Sequence, residues 1–300
     1  MTKLVRSKKL KIMKLKSTFF MLLFSIISFN AAAQDSGNFK LDEVYNMGSN
    51  GTLHLRSEDA DVKITGTDRS DVHVYIERNE EVKGMSSARG RFDVDVEERD
   101  GDLFIRERKP NARFTMGYYR LDYEITIEMP KTGSLRIQGE DDDYIIKSVN
   151  GAISIETEDG NVDLVECMGD DFEIELEDGD LRMDGGNGSL YVNVEDGDAD
   201  IRNGNFKDIE IRSEDGDVLI ETSLSNAGKY DFSGDDASIE LVVLSGGGDF
   251  DISKDDGRVT ASSAFDLIHE SDYRVEYKLP SGEADVRIRT NDGRVRLSKK

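Results

Sequence analysis

The sequence predicts an all-β protein: a single-stranded β-solenoid, β-helix-like, built of 18–21-residue rungs with an irregular N-terminal section. Apolar and polar residues alternate at period two through most of the chain, and no window beyond the first segment keeps helical spacing over three turns. Three prolines against 28 glycines suit extended strands joined by tight turns. An acidic Glu-Asp-Gly corner recurs with its Asp at 159, 178, 196 and 215.

The first segment reads as a leader. Residues 1–16 carry seven cations and no acid, an apolar run follows from Phe19 to Phe29, and Ala31-Ala32-Ala33-Gln34 supplies small residues for cleavage. That order is the one a secretory signal peptide needs, so residues 1–33 are expected to be removed after Ala33. Met13 offers an alternative start, because Met13-Lys14-Leu15-Lys16 is a sufficient basic region. The apolar run is too short for a ~30 Å hydrocarbon core, so no membrane insertion is expected once the leader is gone. No cysteine follows it to carry a lipid anchor. The chain is therefore expected in the periplasm, on the cell surface or secreted.

From residue 34 onward there are 32 Lys+Arg against 63 Asp+Glu, a formal charge of −31. Such a surface repels phosphate, which excludes nucleic acid as a partner and disfavours anionic lipid. Acidic composition alone can mean disorder, but here the apolar residues fall in register and imply a packed interior. Cys167 is the one cysteine, so no intrachain disulfide is possible. It lies where a strand runs out and reads as buried filler.

Residues 34–150 are the irregular section. Leu53-His-Leu55-Arg-Ser57-Glu-Asp-Ala-Asp-Val62-Lys-Ile64 turns on Asp59, and Val72-His-Val74-Tyr-Ile76 alternates again. Residues 80–91 and 107–117 show no strand pattern and read as protruding loops. Tyr123-Glu-Ile125-Thr-Ile127-Glu-Met129 is a strand that Pro130 ends.

Residues 151–300 hold the regular repeats and a C-terminal cap. Ile153-Ser-Ile155-Glu-Thr157-Glu-Asp-Gly-Asn-Val162-Asp-Leu164 is followed by equivalent rungs beginning at Phe172, Leu190 and Ile209. Degenerate corners continue at Asp236-Ala237, Asp256-Gly257 and Asp292-Gly293, and strands over 273–279 and 284–290 read as a closing pair. The period is too short for a propeller blade of about 40–50 residues. Two arrangements fit it. Rungs stack in parallel as coils about 4.8 Å apart, or Asp-Gly makes two-residue hairpins in an antiparallel meander. The second connection of each rung, as in Gly185-Gly186-Asn187-Gly188, is also short. That and the fixed offsets of the inward residues favour the coil.

A leading strand ending near residue 64, an irregular insert, a strand closing on Ile125, Ile127 and Pro130, and then the repeated rungs resemble a bacterial β-solenoid family of presumed adhesins, domain of unknown function 4097. The resemblance spans roughly residues 40–300. It implies the fold and export, and its motifs carry no catalytic signature.

The corner acids are the first candidate site. Asp159, Asp178, Asp196 and Asp215, joined by Asp180, Asp198 and Asp217 two residues on, would form columns of carboxylates when rungs stack. Unit charges ~4.8 Å apart repel by about 0.9 kcal/mol even in water, which a bound Ca²⁺ would relieve. The competing reading gives Asp and Gly a turn role alone, and neither an EF-hand nor a nonapeptide Ca²⁺ spacing is present. Ca²⁺ is thus the one possible cofactor. The second candidate is a partner contact in the insert, formed by Arg113, Phe114, Tyr118, Tyr119 and Arg120, an aromatic and cationic cluster in an acidic protein. The three histidines, His54, His73 and His269, have no metal-ligand spacing, and no Gly-x-Ser-x-Gly elbow occurs. The expectation is an exported non-enzymatic module that binds an envelope or extracellular protein or glycan. A β-helix enzyme acting on acidic polysaccharide and a Ca²⁺-stabilised scaffold are the alternatives.

Overall fold

The computed structural model describes residues 37–89, 91–109 and 112–300, so the leader expected over 1–33 lies outside the described residues. Residues from Gln34 to Lys300 form one compact unit. Among its described residues every regular element is a β-strand.

The irregular section contributes β1 (Phe39–Tyr45), β2 (Thr52–Arg56), β3 (Asp61–Thr67), β4 (Val72–Arg89), β5 (Asp93–Arg99), β6 (Asp102–Arg108) and β7 (Ala112–Pro130). The regular array begins with β8 (Ser134–Gln138), β9 (Asp143–Lys147), β10 (Ile153–Asp159), β11 (Val162–Val165), β12 (Asp171–Asp178) and β13 (Leu181–Asp184). It continues through β14 (Asn187–Asp196), β15 (Ala199–Asp215), β16 (Asp217–Thr222), β17 (Lys229–Gly234) and β18 (Ser238–Val243). The C-terminal part holds β19 (Gly248–Lys254), β20 (Arg258–Ala261), β21 (Asp266–Glu270), β22 (Arg274–Leu279), β23 (Ala284–Thr290) and β24 (Arg294–Lys299).

Each rung is a strand, a corner and a second strand, and each strand pairs in parallel with its equivalent in the neighbouring rung. Ile137, Ile155, Ile174, Val192, Ile211 and Phe232 stand in one inward column of the ladder before the corner. Ile64, Ile146, Leu164, Met183, Ile201, Ile220 and Leu241 form its counterpart after the corner. All of these side chains are buried. β-Branched and aliphatic side chains fit a pleated surface packed on one face, and full burial of each contributes about 1.5–3 kcal/mol. The parallel registers rule out the antiparallel meander. The offset is 18 or 19 residues through most of the array and 21 between Asp208 and Lys229. Both ladders run unbroken across residue 150, because β8 and β9 pair with β2 and β3 on one side and with β10 and β11 on the other.

The two ends depart from sequence order. At the head, the β6–β7 rung stacks outside the earlier β2–β3 rung. At the tail, the last rung, β23–β24, inserts between β17–β18 and β19–β20. The strands expected as a C-terminal closing pair exist as β22 and β23, but they do not pair with each other. They flank β19, β22 antiparallel and β23 parallel. Alternation marks a strand and its buried face but says nothing of its neighbour.

The insert corrects a second expectation. Residues 80–91 and 107–117 are mostly not loops: β4 and β7 pair antiparallel from His73↔Glu128 out to Arg89↔Ala112, and 107–108 end β6. β1 covers β4 only as far as Arg78, and β3 covers β7 only from Glu124 onward. Beyond them, residues 79–89 and 112–122 form a two-stranded ribbon that pairs with nothing else among the described residues. Such a ribbon has solvent on both faces, so it needs no apolar alternation.

Candidate functional site

The corner acids do stack. Asp159, Asp178, Asp196 and Asp215 are register partners, with Asp141 bridged to Asp159. The glycine that follows is forced by close approach: Gly179 has φ +139°, and a Cβ there would lie 2.0 Å from the carbonyl oxygen of Gly160. An L side chain is excluded both by the dihedral and by the rung beneath.

The acids two residues on form a second column with a defined job. The Asn161 amide donates to Asp143 Oδ1 at 2.8 Å, Asp180 N to Asn161 Oδ1 at 3.2 Å, Asp198 N to Asp180 Oδ1 at 3.2 Å, and Asp217 N to Asp198 Oδ1 at 2.8 Å. Each side chain satisfies a backbone donor of the next rung, where the corner interrupts the ladder. Among the described residues no three His, Cys, Asp or Glu side chains converge as a metal site. In the first column the side-chain hydrogen bond between Asp141 and Asp159, with burial and the charges of Asp141 and Asp178, raises the Asp159 carboxyl above the usual range.

At the head of the solenoid this corner becomes a buried polar cluster. Asp142 occupies the corner-glycine position of its rung, Glu140-Asp141-Asp142-Asp143, in place of Gly160 one rung on. It is wholly buried and accepts from Ala60 N at 2.6 Å, Tyr144 Oη at 2.9 Å and Ser57 Oγ at 3.1 Å. Gly139 leaves room for that arrangement, since a Cβ there would meet Tyr144 Oη at 2.2 Å. Glu107 of β6 and Tyr123 of β7 complete it. Both Glu107 carboxylate oxygens and the Tyr123 hydroxyl are sealed from solvent without a hydrogen bond of normal geometry. Burial pushes the Glu107 carboxyl up to about 8, and burial also raises Asp142 against the pull of its donors. Arg78, over the Phe92 ring at 4.4 Å and paired with Glu80 at 3.1 Å, closes the core end. Lys109 meets Glu58 and Asp59 at the top of the acidic column. Sequence reading missed the cluster, because Glu-Asp-Asp-Asp reads as one more acidic corner. The available signal was an Asp where the repeat requires Gly.

The predicted contact residues lie on the ribbon. Tyr118 and Tyr119 are 50% and 44% exposed and Met116 is 59% exposed, while Arg113 and Phe114 belong to β7 with side chains outside the described residues. Tyr118 pairs across the ribbon with Lys83, whose ammonium stands 5.4 Å from the ring centre, and Arg120 is bound to Asp122 at 3.1 Å. At Gly84↔Gly117 both residues have φ near +135°, and a Cβ on either would strike the opposite strand at 2.2 Å. The pair is a built-in irregularity in the ribbon. Elsewhere, a shallow groove of about 310 Å³ follows the corner between Arg56 and the glutamates 140, 158, 177 and 195.

Among solved structures, a candidate adhesin from Bacteroides fragilis NCTC 9343 is 13% identical, with 86% of this chain and 97% of that chain covered at a TM-score of 0.49. A candidate cell adhesion protein from Clostridium sporogenes ATCC 15579 is 14% identical over 87% of this chain and 100% of that chain, at a TM-score of 0.30. A candidate lipid binding protein from Parabacteroides distasonis ATCC 8503 is 12% identical over 86% and 96%, at 0.39. None of the curated proteins matches. The family model described as Toastrack DUF4097 matches residues 50–298, which span the array and both of its out-of-order ends. The chain belongs to the Toastrack family, domain of unknown function 4097.

Proposed function

We propose that the protein is an exported, non-enzymatic interaction module of adhesin type, acting in the envelope or at the cell surface through its ribbon. The observation that carries this reading is the ribbon itself, which leaves the solenoid and keeps Met116, Tyr118 and Tyr119 exposed. Exposed aromatic and Met side chains grouped on one projecting element mark contact sites. The non-enzymatic part rests on the use made of the carboxylates. They repeat uniformly, and the second column is committed to backbone donors of neighbouring rungs. The partner class is a protein or a glycan of the envelope or the outside medium.

The test is an array of envelope glycans and proteins probed with the mature chain and with Tyr118→Ser/Tyr119→Ser. Loss of the bound spots in the double variant is expected. Turnover of a uronate polymer, abolished by one Asp substitution, would sink the non-enzymatic reading.

A further inference from the structure

The β6–β7 rung is the outermost parallel rung at the head, and it carries the ribbon. Its contact with the core includes one carboxyl, Glu107, whose two oxygens are sealed from solvent without a hydrogen bond of normal geometry. The neighbour of Glu107 on β5 is Val94, which offers no donor. From β7 it is faced by Tyr123, and from β4 by Arg78, already engaged by Glu80. From the β2–β3 corner Asp59 adds negative charge, with Glu58 and Lys109 paired at its rim. From the β8–β9 corner comes Asp142, whose own donors are Ser57, Tyr144 and the Ala60 amide. A carboxylate at Glu107 would therefore stand buried beside two other carboxylates, with the Tyr123 hydroxyl as the one uncommitted donor facing it. A neutral acid there avoids the charge and gains one donor for Tyr123 or Asp142.

We propose that Glu107 is a pH latch on the N-terminal cap: as the neutral acid it keeps the β6–β7 rung closed, and its ionisation releases that rung with the ribbon. The direction is fixed by linkage. A carboxyl raised in the folded state holds a proton that the open state has lost, between the ordinary carboxylate range and about 8. The closed cap thus weakens as pH rises through that window and changes no further above it.

Amide hydrogen exchange on the whole mature chain, corrected for the pH dependence of intrinsic exchange, reads the effect directly. From about pH 6 to 8 the opening constant of amides in β6 and β7 is expected to rise by up to about tenfold per pH unit and then level. Amides of β12 and β14 should not follow. In Glu107→Gln the cap profile should be flat. A cap whose opening tracks the array interior, or an unchanged slope in Glu107→Gln, overturns the proposal. Should that variant not fold, the infrared carboxyl band of the wild-type chain decides. Loss of a protonated carboxyl near pH 8 supports the latch, and full ionisation below pH 6 overturns it.

Discussion

At the scale of single residues, the corner shows how one sequence pattern serves two ends. Gly179 exists because the Gly160 carbonyl lies where its Cβ would be. Gly179→Ala is expected to cost about 3 kcal/mol in urea unfolding, from a forbidden dihedral and a displaced rung. Asp198 is a hydrogen-bond acceptor for Asp217 N, and an amide oxygen performs that task equally well. Asp198→Asn should leave stability within about 0.5 kcal/mol and Asp198→Ala should lose about 1 kcal/mol, read from the same unfolding curves. Equal losses would mean that charge and not the ladder matters. Asp142 is different, because three buried donors depend on it. Asp142→Ala should destabilise by about 3–5 kcal/mol, enough to move the thermal midpoint by several degrees.

At the scale of elements, legibility follows burial. Rungs from Ile153 to Ile220 were readable because one face of each strand is sealed and the offset between equivalent residues barely varies. β4 and β7 beyond residues 79 and 122 were not, since a ribbon wet on both faces leaves no alternation in Glu80-Glu81-Val82-Lys83. The insertion of β23 beside β17 was equally hidden, because Ala284-Asp-Val-Arg-Ile-Arg-Thr alternates in the same way wherever it docks. The acidic columns are the element where salt should act. Raising ionic strength from ~0.01 to ~0.15 M shortens the Debye length from about 30 to about 8 Å and should raise the melting temperature. Millimolar Ca²⁺ should add no more than Mg²⁺ at equal ionic strength. A Ca²⁺-specific rise, lost on chelation, would instead assign the columns a cation.

For the whole molecule, the balance of carboxyl shifts sets an unusual pH response. Glu107, Asp59, Asp142 and Asp159 are all raised, the first three mainly by burial and Asp159 by the carboxylates beside it. Each binds its proton more tightly when folded, so stability falls as pH rises through their folded values. Asp68, Glu77 and Asp251 are lowered by hydrogen-bonded partners and lose their contribution only below the ordinary carboxylate range. Melting temperature should therefore be higher near pH 5.5 than near pH 8, and Glu107→Gln should narrow that difference. The solenoid is thus a charged, stacked body, and the proposed function lies in the part that leaves the stack. One comparison tests that division most directly: partner binding by a chain carrying Met116→Ser, Tyr118→Ser and Tyr119→Ser on the ribbon, beside a chain carrying Asp180→Asn and Asp198→Asn. With both variants folded, binding is predicted to vanish in the first and persist in the second. Binding that survives loss of the exposed ribbon side chains but fails when the corner acids are neutralised would contradict the account.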